Sequence, residues 1–384
     1  MAKILITDAE ERSVLAATRA LDRAGHTVAA VGRGRASPTL WSRACSERHV
    51  LPDPRLDSEQ FLAGLERLVE RGAYDALVPG SDVSLLVLSE GRHRLEPHTR
   101  LGLPTREVVR ACGDKAALIE VSRDAGLPPP MSAVCRDSAQ AADAARRIGY
   151  PVIVKPARSA LSDGTIVSQR PTRVVHAEHE LPAATSDAGG AMLVQRFERP
   201  RAHLSCGGVA TDEGVAAFAV ARFHRTWPVQ SGAAAFAETV DAPPGLREKV
   251  HTLVERIGWR GIFELEVLAL DGDRFCAIDF NPRVFGWLGL AVEAGADLPD
   301  AMIEALLRGR TVAARSRAGV RYRWEDADVC HAAWQLRRGR VRAAGRVLRP
   351  ARGVTHAHFR LDDPAPLAAR LAWSLSRLRR PAAV

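Results

Sequence analysis

The sequence predicts an α/β and α+β protein that opens with a doubly wound parallel sheet. Two observations carry the α/β part. A β-α-β unit stands at the N-terminus, and strands keep alternating with helices up to about residue 110. A third observation, an acid-bearing hairpin at Gly261–Trp287, marks antiparallel structure further along. At 384 residues the chain is too long for one simple core, so two or three domains are expected.

The elements follow in order. Lys3–Thr7 is an apolar strand, Arg12–Ala24 an amphipathic helix stopped by Gly25, and His26–Val31 a second strand. Phe61–Arg71 reads as a helix and Tyr74–Pro79 as a strand leading into the loop Gly80-Ser81-Asp82. The loop after the first strand is Asp8-Ala9-Glu10-Glu11, so the glycine fingerprint of a dinucleotide-binding oxidoreductase is missing. Asp114–Gly126 is predicted helical, with Asp114 or the preceding glycine as N-cap, and Ser138–Ile148 is predicted helical with Ser138 as cap. Tyr150–Pro156 is an apolar strand with one lysine near its end, and 157–165 is a loop of small residues. Met192–Phe197, Ser205–Val209 and Val215–Arg222 read as strands, and Leu246–Ile257 and Asp297–Arg308 as helices. Arg346–Arg352 reads as a loop and Pro366–Arg379 as a helix.

Composition narrows the class. An apolar fraction of 46% with 26% charged residues is that of a soluble globular protein. No apolar run is long enough to span a membrane, and MAKILITDAEE does not read as a signal peptide, so a cytoplasmic location is expected. The six cysteines form no CxxC pair, which argues against zinc and for free thiols. Cys276 is expected to point into the core. The net charge of +9 raises nucleic-acid binding, but seven arginines fall between Arg337 and Arg352 with little aromatic company, so a stacking platform is poorly supported. Only four residues are lysine: Lys3, Lys115, Lys155 and Lys249.

The hairpin carries the chemistry. Glu264 and Glu266 alternate with Phe263, Leu265 and Val267, and Asp279 and Asn281 alternate with Ile278 and Phe280. A two-residue loop at Gly272-Asp273 sets Glu266 opposite Asp279 and Glu264 opposite Asn281; a three-residue loop breaks that parity. Like charges facing across a ladder repel unless a hard cation sits among them. A solvated edge hairpin also carries acids, but Asn281-Pro282-Arg283 sets a fixed turn and a cation directly after these. Lys155 ends an apolar strand, where an ammonium must meet an anion or reach water. Lys115 falls in the first turn of the predicted helix, a poor place for a cation unless a polyanion lies at the same end.

Asp114-Lys115, then Gly126-Leu127-Pro128-Pro129-Pro130, Tyr150-Pro151-Val152-Ile153-Val154-Lys155-Pro156, Leu193-Val194-Gln195-Arg196-Phe197, Glu266 and Asp279-Phe280-Asn281-Pro282-Arg283, in that order, resemble the ATP-grasp superfamily over roughly residues 105–310. The resemblance implies an N-terminal pre-ATP-grasp domain over 1–110, an ATP-grasp core of two α+β subdomains over 111–312, and a basic C-terminal extension over 313–384. It implies that Lys115 and Lys155 contact ATP phosphates beneath the lid 157–165. Gln195, Arg196, Phe197 and Glu198 would hold adenine, with Glu198 or His203 at the ribose. Glu266, Asp279 and Asn281 would bind Mg2+, with Mn2+ as an alternative, and Arg283 would stabilise the transferring phosphoryl group or acyl-phosphate. Arg222 or Arg225 is a candidate for holding a substrate carboxylate, against a plain surface hairpin. Departures from the commoner pattern are Asp279 where Glu is usual, a single glycine (Gly164) in the lid, and His203 in place of an acid.

The implied reaction joins a small-molecule carboxylate to an amine through an acyl-phosphate, releasing ADP and phosphate. A carbamoyl-phosphate-like or carboxylase-type ATP-grasp reaction is the first alternative, and a non-enzymatic nucleic-acid-binding protein the second. Related enzymes are often homodimers. Neither the carboxylate nor the amine is legible.

Overall fold

The computed structural model describes residues 1–158, 161–162, 167–168, 170–229, 232–272, 274–349 and 353–378. Five parallel strands, β1 (Lys3–Ile6), β2 (Thr27–Gly32), β3 (Glu47–Val50), β4 (Ala76–Val78) and β5 (Arg100–Leu101), lie in the order β3-β2-β1-β4-β5. Helices α1 (Arg12–Arg23), α2 (Ser58–Gly72) and α3 (Asp82–Glu90) connect them. Helix α2 starts earlier than its apolar periodicity suggested because Asp57 accepts the Gln60 N–H at 2.8 Å. Strand order reverses between β1 and β4, so the loops after these two strands open a crevice at a topological switch point. Asp8 ties the two loops together. It adopts φ 63° and accepts from Ser81 Oγ at 2.9 Å and from the Gly80 N–H at 3.2 Å.

A second, antiparallel sheet forms a small lobe in the order Arg173–Val175, Val152–Pro156, Met192–Arg196, Ser132–Cys135. Its apolar cluster, built on Val152, Val154, Met192, Val194 and Ala145, is separate from the rest of the core. The helix Ser138–Ile148 covers it with the predicted limits, but the cap is Asp137, whose Oδ1 accepts the Gln140 N–H at 2.8 Å.

The third sheet is the body of the molecule. From its edge run Phe275–Asn281, Gly261–Ala269, Ala202–Thr211, Gly214–Trp227, Ala233–Val240, Arg321–Arg323 and Val354–His356, with Ala314–Arg315 alongside Gly214–Trp227. The two strands predicted at 205–222 are the middles of longer ones. Residues of β1, β4 and α1 share one apolar cluster with Phe285, Trp287, Leu288 and Tyr322, so the N-terminal sheet and the body are packed together. No helix among the described residues is long and apolar enough to cross a membrane. The cysteines are free, and Cys330 alone among them is exposed. Cys276 is buried, but with Leu268 and Leu270 in a small cluster apart from the main core: a bulge in the hairpin sets it opposite Leu268, on the face of Glu266, where its phase predicts the other face.

Two helix expectations are corrected. The residues from Arg346 to Leu348 are helical, in Val341–Leu348, because Ala344 and Val347 are buried against Ala332. The density of arginine on the exposed face obscured that apolar spacing; residues 350–352 lie outside the described residues. The helix predicted at Asp114–Gly126 begins only at Ala117, for reasons given with the site. The final helix runs Ala365–Leu378, close to expectation.

The C-terminal segment is anchored by Glu325. Its carboxylate accepts the His358 N–H at 3.2 Å and the Phe359 N–H at 3.0 Å, with the His356 and His358 rings at 3.4 and 3.5 Å. Burial alone would raise its pKa; the adjacent His356 and His358 rings and the Phe359 N–H override this and hold it well below the carboxylate range. A depressed pKa contributes stability above the unfolded value of about 4.3 and loses it as pH falls below that. Glu325→Gln is therefore expected to cost roughly 1–3 kcal/mol at pH 7. The gap to the unsubstituted protein should narrow as pH falls from about 5 towards 2 in denaturant melts, and a gap independent of pH would refute this account.

Candidate functional site

The register of the hairpin places the acids as the alternation required, by a different route. Leu270 N–H bonds the Arg274 carbonyl and Ala269 pairs with Phe275, so three residues, 271–273, separate the closing pair. That loop length would put Asp279 out of phase. A bulge between Glu266 and Val267 absorbs Ile278 and restores the pairs Glu266↔Asp279 and Glu264↔Asn281. The extra residue has a use: the Ile278 carbonyl accepts from Lys155 Nζ at 2.8 Å.

Three cations surround the acids. Lys155 enters from the small lobe and is 7% exposed. Burial, then the nearby Lys115 ammonium, pushes its pKa down to about 8. Lys115 forms a direct ion pair with Asp279. Asp279 is half-buried; its desolvation would raise its pKa, but Lys115 and Lys155 together hold it below the usual carboxylate range. Lys115 lies before its helix, not in its first turn. Its N–H goes to the Ala157 carbonyl at 2.8 Å, while Asp114 Oδ1 accepts the N–H groups of Ala116 and Ala117 at 3.0 and 3.2 Å. The conflict between an ammonium and the positive end of a helix is thus relieved by a late start. Arg283 pairs with Asp82 of α3 at 3.0 Å, and that carboxylate raises its pKa against the opposing effect of burial.

Glu264 holds this face together. It is buried, and its oxygens accept from Ser205 Oγ at 2.7 Å, Trp287 Nε1 at 2.6 Å and Asn281 Nδ2 at 3.1 Å. Burial, then the Glu266 charge, lifts its pKa to about 7. Small residues lie directly across the ladder: Ser205 opposite Glu266, and Gly207 opposite Glu264. Gly207 is needed there because a Cβ would come within 2.4 Å of the Phe285 ring.

The remaining predicted residues fall as follows. His203 meets Glu266 at 2.8 Å and packs on Phe223. Gln195 is buried and donates from Nε2 to Ser132 Oγ at 2.8 Å, Arg196 pairs with Glu198 at 2.6 Å, and Phe197 donates its N–H to the Pro151 carbonyl at 3.2 Å. A narrow cavity joins Gln195, Lys115, Lys155 and Asp279. Arg222 is exposed, and Arg225 pairs with Asp328 at 2.6 Å over the Phe236 ring. Most of the lid 157–165 lies outside the described residues; Leu161–Ser162 pairs with Val167–Ser168. A larger cavity, about 320 Å3, is lined by Glu264, Glu266, Asp279, Asn281 and Arg283 on one side and by the loops after β1 and β4 on the other. Its contributors Glu11, Ser81 and Asp82 carried no sequence signal beyond their place after a strand of a doubly wound sheet.

Residues 114–303 match the family described as carbamoyl-phosphate synthase L chain, ATP binding domain. The biotin carboxylase of Haemophilus influenzae is 28% identical over 252 residues, which are 61% of this chain and 54% of that protein. The structure is similar to the biotin carboxylase domain of Hydrogenobacter thermophilus 2-oxoglutarate carboxylase, solved with MgADP, ADP and bicarbonate. The TM-score is 0.65 at 18% identity, covering 83% of this chain and 73% of that one. It is also similar to an L-amino acid ligase from Bacillus licheniformis, with a TM-score of 0.62 at 14% identity over 80% and 74% of the two chains. Residues 114–303 are an ATP-binding domain of the ATP-grasp superfamily. The chain spans about half the length of the Haemophilus relative.

The fold of this ATP-grasp protein accounts for the two-sided arrangement, with Lys155 delivered by the small lobe and Lys115 by the segment before the helix Ala117–Asp124 onto acids of the body sheet. The donor set of Glu266, Asp279 and Asn281 is all hard oxygen on one sheet face, with Lys115 already placed as a counter-charge; that chemistry fits Mg2+ and not a soft metal. Gly207→Ala is expected to force Phe285 aside at a cost of about 1–3 kcal/mol and to disturb the segment that carries Arg283. Thermal melts and nucleotide titration should both show it; an unchanged melting temperature would contradict the packing argument.

Proposed function

We propose that this ATP-grasp protein is an ATP-dependent ligase that activates a carboxylate as an acyl-phosphate and joins it to an amine, forming ADP and phosphate. One observation carries the reading: Lys115 and Lys155 converge on Asp279, which shares a face with Glu266 and Asn281. Phosphoryl transfer depends on positioning and charge neutralisation rather than on covalent protein chemistry, and this site offers both. We assign the pre-ATP-grasp role to residues 1–110, the nucleotide and metal site to 111–312, and the basic extension to 313–384.

In this reading Lys115 and Lys155 move from Asp279 and the Ile278 carbonyl to the phosphates of ATP, and Gln195, Arg196, Phe197 and Glu198 hold the base. Glu266, Asp279 and Asn281 would hold Mg2+, which supplies charge neutralisation for the phosphate oxygens when bound. Arg283 presents a planar fork to the acyl-phosphate, and Asp82 keeps that fork oriented. His203, bonded to Glu266, orients that carboxylate, while Arg222 and Arg225 stand farther back as candidates for a substrate carboxylate. The acceptor occupies the cavity between the hairpin and the switch-point loops, where burial protects the intermediate from water.

A carboxylase-type or carbamoyl-phosphate-like reaction is the second reading, favoured by the biotin carboxylase likeness. In it the activated carboxylate is bicarbonate. We propose a homodimer on the strength of the 2-oxoglutarate carboxylase domain, which is described as a dimer.

The test is an ADP-release screen of amino acids and small carboxylates, singly and in pairs, with and without bicarbonate. A response needing two organic substrates supports ligation, and a bicarbonate requirement supports the second reading. Lys155→Ala and Asp279→Ala should each lower turnover by at least a hundredfold with the fold intact by circular dichroism. Undiminished turnover in either variant would remove the site assignment.

A further inference from the structure

A charged cavity away from the hairpin lies between α1, the helix Leu288–Glu293 and the C-terminal strand Val354–His356. It measures about 430 Å3. Its wall carries Arg12, Arg19, Arg23, Arg317 and Arg360, with Glu293 as the one carboxylate among the lining residues. The arginines of α1 fall there by helical spacing, since positions 12, 19 and 23 share one face with Ala16.

The balance of these charges is uneven. Arg19 is neutralised by Asp363 at 2.9 Å and by the carbonyls of His358 and Asp363. Arg23 and Arg360 both reach Glu293 Oε1, each at a long 3.4 Å, and Arg360 also meets Asp362 at 3.0 Å. Arg12 has a carbonyl and an aromatic face as partners: Nε donates to Gly286 at 3.0 Å, and the guanidinium lies 3.7 Å from the centroid of Trp324. Arg317 makes no ion pair among the described residues. Guanidiniums held around one concavity with a carboxylate deficit attract oxyanions, which their planar forks bind in bidentate fashion.

We infer that this cavity is a second anion site, taking a small molecule with two or more phosphate or carboxylate charges. It is distinct from the phosphate site at Lys115 and Lys155. It also touches the catalytic face, because Arg12 lines both cavities and shares the Gly286 carbonyl with Tyr322 Oη, which donates at 2.8 Å. Gly286 lies between Arg283 and Trp287, and a Cβ there would meet Arg12 Nη2 at 2.2 Å. An anion that draws on Arg12 therefore acts on the segment that positions Arg283.

The probe is pyrophosphate, titrated calorimetrically into the full chain without nucleotide. Sodium chloride at matched ionic strength is the control. In Lys155→Ala, where the nucleotide phosphate site is disabled, one binding event should remain. Adding Arg317→Glu, at an exposed position with no ion pair among the described residues, should weaken that event at least tenfold, and Arg23→Glu on α1 should do the same. Binding that vanishes in Lys155→Ala overturns the inference, as does binding that persists through both arginine substitutions or heat reproduced by chloride. Since the readout is binding, failure of the ligase reading leaves it intact, and the converse holds.

Discussion

The structure turns on the burial of negative charge along one face of a sheet edge. Glu264, Glu266 and Asp279 lie close enough that burial and mutual repulsion lift Glu264 to about 7. Such a cluster is stable only if each carboxylate is answered. Asp279 is answered by Lys115, Glu266 by His203, and Glu264 by Ser205, Trp287 and Asn281. The answering groups come from four segments, His203 and Ser205 from the one strand Ala202–Thr211, so the charge cluster dictates how these segments meet. Trp287 and Phe285 must lie over the Ala202–Thr211 strand, and that strand must carry Ser205 and Gly207 there instead of larger residues.

The same charges divide the molecule into a body and a lobe. The N-terminal sheet shares its apolar core with the body, which fixes Asp82 against Arg283. The small lobe has its own apolar cluster and reaches the site through Lys155 and the Ile278 carbonyl. A contact made by one ammonium and one carbonyl can be exchanged for a phosphate at modest cost, whereas a shared core cannot be reopened cheaply. The division of apolar packing thus assigns permanence to the acids and Arg283, and exchangeability to the lysines.

Much of this was legible in the sequence, though one part was legible for the wrong reason. Alternation in the hairpin correctly set Glu264, Glu266, Asp279 and Asn281 on one face. The two-residue turn invoked to align them is not present; a longer loop and a bulge at Ile278 cancel each other. Periodicity survives such compensation because the burial of Leu265, Val267 and Phe280 demands it, while turn length does not. Lys115 was placed inside a helix because Asp114 is a good cap, but the Ala157 carbonyl captures the Lys115 N–H and delays the helix to Ala117. That competition is tertiary and leaves no local trace. In the C-terminal segment, the spacing of Ala344 and Val347 was a real helix signal hidden under arginines whose charge invited a loop.

What the sequence withheld is where the substrate sits, and the geometry explains why. Phosphate chemistry requires a few residue types at fixed spacing, so lysines, acids and a following arginine announce it. The facing half of the cavity is built from Glu11, Ser81, Asp82 and their neighbours, brought in from the loops after β1 and β4. In the proposed reading, the chemistry of ATP does not constrain those loops; the acceptor does, together with the need to pair Arg283. Asp8, held at φ 63° between the two loops, shows that their mutual position is specified at a cost in backbone strain. In the proposed reading, selectivity rests with these switch-point loops, and exchanging their residues other than Asp82, which holds Arg283, is the change that would alter the substrate while sparing the phosphate site.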